Sequence, residues 1–277
     1  MVAAARLRHA QARILSARPF AKDMERLLAD VIKASDADRK EVLPSEGLTH
    51  PLLKKREGGA RGLLLITADK GLCGAFNTNL VKKALEFLRE NEGRKVVLFC
   101  AGRKGRDFFR RTIPNLGGDY VNFFNQLSFA QAELIGGDVM KFFQREDVQD
   151  VTIIYNEFKT VMQQRLVQNT LLPLTAPSGE EPTRLNQRKR PVGGFIYEPR
   201  KEELLNALFP RLLKAQIFRA LLESFAAEMS AKMVAMENAT KNAKELIGTL
   251  TLLANKIRQG AITREISELV GGAESLR

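Results

Sequence analysis

One amphipathic helix, too long and too thin for any globular core, is written into the last third of this chain. No proline follows Pro210, and the pattern predicts an unbroken helix from there to about Val270, roughly 60 residues or about 90 Å at 1.5 Å per residue. Pro210 suits a first helical turn, and Gly271 with Gly272 reads as the stop. Leu222, Phe225, Met229, Met233, Met236, Ala239, Ala243, Leu246, Leu250, Leu253 and Ile257 advance 35 residues in ten steps. A mean step of 3.5 is the period of a left-handed coiled coil, not of a helix laid on a domain. Glu228, Lys232, Glu237, Lys241 and Glu245 fall opposite this stripe and are expected to stay in water. A single helix of this kind is not stable alone, so it demands a partner helix.

The start of the chain supplies one. Leu7, Ala10, Ile14, Ala17, Ala21, Met24, Leu28, Val31 and Ala34 again step by threes and fours, with Pro19 expected to bend the helix that carries them. Residues 1–5 are helix-forming but offer no Ser, Thr, Asp or Asn cap, so the chain reads as starting in mid-helix. Some 35 residues span about 50 Å, which leaves roughly 40 Å of the C-terminal helix for a partner outside the chain or for residues upstream of Met1.

Between the rods the texture changes. Residues 61–67 form a short apolar run ending in polar turn residues, a helical pattern fills 75–90, and a second buried strand is expected at 96–100. Helices at 104–111 and 129–143, a strand at 151–155 and a further, edge-like strand at 163–174 follow. Short strands alternating with helices mean βαβ units and a mostly parallel sheet. The predicted fold is therefore α/β: a long antiparallel coiled coil formed by the N- and C-terminal helices, interrupted by a Rossmann-like α/β domain. Its expected parts are the N-terminal coiled-coil helix at 1–42, the α/β domain at 60–174, a mobile loop at 175–195 rich in Pro, Gly, Glu and Arg, and the C-terminal coiled-coil helix at 200–272.

Charge narrows the function less than it first suggests. The net charge of +12 divides as +3 in residues 1–42, +7 in 43–200, +2 in 201–272 and zero beyond, with one cluster at Arg184, Arg188, Lys189 and Arg190. Such a surface fits nucleic acid, an anionic membrane face or an acidic protein about equally well. Cys73 and Cys100 lack metal-site spacing and read as reduced, partly buried thiols. No apolar run approaches 18 residues and no signal-peptide pattern opens the chain, so membrane association is expected only through a partner.

Candidate chemistry is sparse. Residues 67–77 run from a strand end through Gly71 and Gly74 into a helix, a junction that can cradle a phosphate. Neither GxxxxGK[ST] nor GxGxxG is present, and a structural turn is the preferred reading. Cys73 beside Lys70 invites comparison with an activated thiol, but no histidine is near, and an inert packed cysteine accounts for it better. His9 and His50 have no spacing that makes a metal site or a triad. Met229, Met233 and Met236 are read as coil packing. No catalytic, cofactor or metal site is expected.

The far end of the helix is the informative anomaly. Ile262, Ile266, Leu269 and Val270 make an apolar face where the first helix has run out, and such a face calls for an apolar socket on another protein. Arg258, Gln259, Thr263 and Glu265 lie around it with polar groups for a surrounding partner.

Residues 233–243 (MVAMENATKNA), 255–266 (NKIRQGAITREI) and 271–273 (GGA) closely resemble the C-terminal helix of the gamma subunit of F-type ATP synthase. Residues 66–77 (ITADKGLCGAFN) look like that family's central signature, and residues 1–8 (MVAAARLR) like part of its N-terminal helix. The three motifs fall in family order over nearly the whole chain. The resemblance implies a central rotor stalk inside the ring of alternating alpha and beta subunits, with one gamma per three pairs. Its rotation would couple proton flow through the membrane c-ring to ATP synthesis or hydrolysis on the ring. It further implies contact of Arg258, Gln259, Thr263 and Glu265 with the beta subunit, and an apolar bearing at Ile262, Ile266, Leu269 and Val270. Tyr197 and Glu198 would face the c-ring, and an epsilon subunit would bind the foot. It implies no catalytic site in gamma itself, and a peripheral place on the cytoplasmic face of the bacterial inner membrane. Because the family normally starts several helical turns earlier, Met1 is expected to be an internal methionine. The competing readings are a basic coiled-coil protein binding nucleic acid or acting as a scaffold, and a small-molecule enzyme built on the α/β domain.

Overall fold

A computed structural model of the chain describes residues 5–16, 19, 50–112, 116–124, 127–145, 147–174 and 201–275. The segment 20–49, the expected loop at 175–195 with its arginine cluster, and the pair Tyr197 and Glu198 lie outside the described residues.

The domain is organised around strand β1 (Ala60–Ile66), flanked by parallel β2 (Val96–Ala101) and parallel β4 (Val148–Phe158). Leu63, Leu64, Leu65 and Ile66 are all fully buried. A strand covered on both faces reads as a continuous apolar run rather than an alternation, which is why this segment is legible in the sequence. The full order is β3-β2-β1-β4-β5. Strand β5 (Gln164–Leu172), the edge-like strand of the sequence reading, pairs antiparallel with β4. The crossovers are α2 (Phe76–Glu90), α3 (Arg103–Phe109) and α4 (Phe129–Phe143). In α2, Phe76, Leu80, Ala84 and Phe87 turn one stripe to the sheet. Helix α4 begins where Gln131 Oε1 accepts from the Ser128 N–H at 2.8 Å.

Strand β3 (Leu116–Tyr120) has no counterpart in the sequence reading. Its residues are Leu, Gly, Gly, Asp and Tyr, which show no hydrophobic run. The glycines are required by packing: a Cβ at Gly117 would lie 2.5 Å from Val97 and 2.8 Å from the Phe99 ring. The strand is held instead through pairing with β2 and a hydrogen bond donated by Tyr120 Oη to Asp138 on α4 at 2.8 Å. Gly102, which precedes α3, has φ of 112°, and a Cβ there would sit 2.1 Å from the Thr67 carbonyl oxygen. Only glycine lets β2 turn into α3 this close to β1.

The C-terminal helix α5 (Lys201–Glu274) has 74 residues, about 110 Å of rod. It starts before Pro210 and continues through Gly271 and Gly272, so neither end lies where those residues predicted. Phe209, Leu212 and Leu213, beside the proline, are buried, and that packing outweighs the roughly 3 kcal/mol a helix-interior proline costs. A Cβ at either C-terminal glycine would meet nothing within 4 Å, and the helix runs through both to Glu274. Helix α1 (residues 5–16) buries Leu7, Ala10 and Ile14. Arg6 lines a cavity with Glu228 and Lys232 of α5. Two turns later Arg13 donates to the Leu127 carbonyl, close to Phe129, whose ring meets Phe218 at 5.5 Å.

Candidate functional site

Residues 220–230 of α5, eleven in succession, are all buried. A helix buried on every side for three turns is passing through a collar rather than resting on a surface. The β4–β5 hairpin forms one wall: Glu223 Oε2 accepts from the Phe158 N–H at 3.2 Å, and Ser230 Oγ donates to the Val161 carbonyl. Helix α4 forms another, with Gly136 leaving room for Lys214 and Ile217, and Lys214 Nζ lying 3.1 Å from Glu133. Phe124 stacks on Phe225 at 6.2 Å. The loop after β1 and helix α1 close the remaining side around a cavity of about 70 Å³ lined by Arg6, Asp69, Lys70, Arg103 and Lys232, among others.

This collar sits at the carboxyl ends of β1 and β4, the point where a doubly wound sheet reverses its order and where such folds bind their ligands. Here α5 fills that crevice. The loop with Gly71 and Gly74 accordingly has a packing role. Gly74 has φ of 57°, and a Cβ there would lie 3.9 Å from the Ala235 side chain; Asn77 Oδ1 accepts from the Ala68 N–H at 3.0 Å. The buried Cys73 sulfur accepts from Asn77 Nδ2 at 3.2 Å. Burial pushes its thiol pKa up, with the Glu228 carboxylate adding to the effect, so the thiol is not activated. Cys100 is likewise buried, its pKa pushed up to about 12 chiefly by desolvation.

Glu228 corrects one expectation. The period-3.5 stripe placed it and Lys232 in water, whereas Glu228 is 4% exposed and accepts at 2.9 Å from Nζ of a Lys232 side chain that is itself largely covered. Burial raises its carboxyl pKa, partly offset by Lys232. A helical-wheel argument assumes one covered face, and at this level α5 has none left open. Further along, Glu237, Lys241 and Glu245 are exposed, as the stripe implies. Glu223, Ser224 and Ser230, also buried, were not singled out by sequence. Their signal was polar residues in a stretch otherwise apolar on every side.

Beyond the collar the rod emerges and is bare. All of residues 236–273 are exposed, 38 residues or about 57 Å. This exposed length is greater than the roughly 40 Å expected from the sequence. On this bare segment Leu246, Leu250, Leu253 and Ile257 continue the stripe that Leu222, Phe225 and Met229 begin inside the collar. The seam is one: buried within the collar and exposed beyond it. Ile247 and Leu252, 63% and 73% exposed, lie off that stripe, so the apolar surface extends around the rod.

The residues expected at the tip and against the beta subunit all fall here. Ile262, Ile266, Leu269 and Val270 are between 48% and 74% exposed. Arg258, Gln259, Thr263 and Glu265 are exposed around them, with the Thr263 hydroxyl donating to the Gln259 carbonyl at 2.9 Å. No helix among the described residues is long and apolar enough to cross a membrane, and among them no group of His, Cys, Asp and Glu is placed to hold a metal ion.

Comparison with known proteins gives a consistent result. A family model described as ATP synthase matches residues 1–276. The ATP synthase gamma chain of Heliobacterium modesticaldum is 41% identical over 276 residues, covering 100% of this chain and 91% of its own. That of Chloroherpeton thalassium is 42% identical over 288 residues, covering 100% and 90%. Among solved structures, the central stalk and c-ring of the mitochondrial ATP synthase of Tetrahymena thermophila matches with a TM-score of 0.61 at 25% identity, over 87% of this chain and 96% of that one. A chain of the OSCP/F1/c-ring assembly of the Euglena gracilis mitochondrial enzyme shares the fold, with a TM-score of 0.56 at 18% identity over 98% and 94%.

Proposed function

The chain belongs to the ATP synthase gamma-chain family, and from that premise we propose how its geometry performs the work of the central stalk. It is the rotor subunit of an F-type ATP synthase, turning within the alpha and beta subunits of F1 and standing on the c-ring, with epsilon beside it. The carrying observation is a helix gripped on every side over residues 220–230 and bare over residues 236–273. A rod clamped at one end can transmit a twist. Its bare half carries an apolar surface suited to a surrounding socket.

On this reading the chain divides into a shaft, residues 1–42 and 200–272, and a foot at 60–174. Ile262, Ile266, Leu269 and Val270 form the bearing tip. Arg258, Gln259, Thr263 and Glu265 hydrogen-bond the beta subunit as the rod turns. Tyr197 and Glu198 face the c-ring. The chain contributes no catalytic group: the crevice where its fold would hold a ligand is filled by α5, and chemistry belongs to the ring. It is peripheral, on the cytoplasmic face of a bacterial inner membrane, and proton flow drives it. The reading as a basic nucleic-acid-binding coiled coil is not favoured.

The test is reconstitution. Mixed with alpha and beta subunits of the same source, the chain is expected to yield a complex with one copy per three alpha–beta pairs and ATPase activity. Absence of any assembly under conditions where alpha and beta alone are folded overturns the reading.

A further inference from the structure

Apolar packing around a near-cylindrical helix resists tilting but fixes its angle about its own axis only weakly, since one apolar ridge can slide toward the next groove. Directional bonds fix that angle. Glu223 and Ser230 are seven residues apart, two turns on one face of α5, and both are fully buried. Both bond the backbone of the same hairpin: the Phe158 N–H donates to Glu223, and Ser230 donates to the Val161 carbonyl. The hairpin is itself stiff. Its turn is closed by the Thr160 and Gln163 backbones, and Glu157 Oε2 lies 2.9 Å from Arg165 Nη2 and 3.2 Å from Lys159 Nζ.

A buried carboxylate costs stability unless it is fully bonded, and an apolar residue of similar size serves a core as well or better. Its presence in the collar therefore marks orientation rather than cohesion. We propose that Glu223 and Ser230 are positioning residues that key the shaft to the β4–β5 hairpin, fixing its rotational angle so that torque passes between foot and rod without slip. This rests on the rotor reading above.

The experiment uses the complete membrane-embedded complex in sealed vesicles, with ATP hydrolysis and ATP-driven acidification measured on the same preparation. Glu223→Leu combined with Ser230→Ala is expected to keep hydrolysis within about twofold while acidification per ATP falls about threefold or more, because directional bonds no longer hold the angle of the shaft. Glu223→Gln, which keeps a carbonyl acceptor, is expected to retain the wild-type ratio. A purely structural role would lower the amount of assembled complex and leave the ratio alone, so an unchanged ratio in the assembled double variant overturns the inference. If that variant does not assemble, Ser230→Ala alone decides: a lowered ratio supports keying, and an unchanged one overturns it. A wild-type complex that hydrolyses ATP without acidifying the vesicles contradicts the rotor reading instead.

Discussion

The His50 imidazole sits where the chain enters the α/β domain, with its ring 4.6 Å from that of Phe209 on α5. Its Nδ1 accepts from the Leu52 N–H at 3.2 Å, capping the short 3-10 turn Pro51–Leu53. Burial lowers its pKa below the ordinary 6.5. A histidine with a depressed pKa contributes stability that is present above the unfolded-state value and lost as pH falls through the folded one. Protonation removes the acceptor as well as charging a half-buried ring. His50→Asn keeps a capping oxygen without the titration. The stability advantage of wild type over this variant is thus expected to shrink between pH 7.5 and 5, by up to about 1 kcal/mol, as read from urea midpoints across that range. An advantage independent of pH would show that the cap does not depend on the neutral ring.

At the scale of the element, α5 is one helix with two environments, and identical substitutions should separate them. Leu221, fully buried in the collar, is expected to cost about 2–5 kcal/mol on truncation to Ala. Leu250, 53% exposed on the bare segment, is expected to change the stability of the isolated chain by no more than about 0.5 kcal/mol, yet Leu250→Ser weakens its retention in a complex with alpha and beta subunits. Denaturant midpoints and size-exclusion of the reconstituted mixture measure the two effects separately. Equal stability losses at both positions would mean that the bare segment has a partner within the chain. The same contrast accounts for the mean step of 3.5 persisting over both halves. Heptad spacing records what the helix face is for, not which protein covers it.

For the whole molecule, foot and distal shaft are structurally independent. Residues 237–273 are exposed throughout, so deleting 237–277 is expected to leave the unfolding free energy of the α/β domain unchanged within about 0.5 kcal/mol. The deletion also removes Leu246, Leu250, Leu253, Ile257 and the apolar tip, an exposed surface of the kind that drives self-association. Sedimentation of the full chain is accordingly expected to show concentration-dependent association, and the deleted chain to be monomeric. A destabilised foot after the deletion would refute the independence.

The sequence by itself determined the long helix, the N-terminal helix, the parallel strands β1, β2 and β4, and the bare apolar tip. Each is a local pattern: a period of 3.5 or a short apolar run repeats in every turn or strand and needs no knowledge of neighbours. The family resemblance was carried in the same way, by contiguous motifs. Only the tertiary structure decided the rest. Strand β3 was hidden because Gly117 answers to Val97 and Phe99 on the adjacent strand. Pro210, Gly271 and Gly272 read as helix ends, and were overruled at Pro210 by the buried neighbours Phe209, Leu212 and Leu213. Glu228 read as solvated, and Glu223 and Ser230 drew no notice, because burial on all sides arises only when the hairpin, α1, α4 and the loop after β1 converge on one stretch of α5. That convergence joins residues far apart in the chain, and no periodicity in any one of them records it.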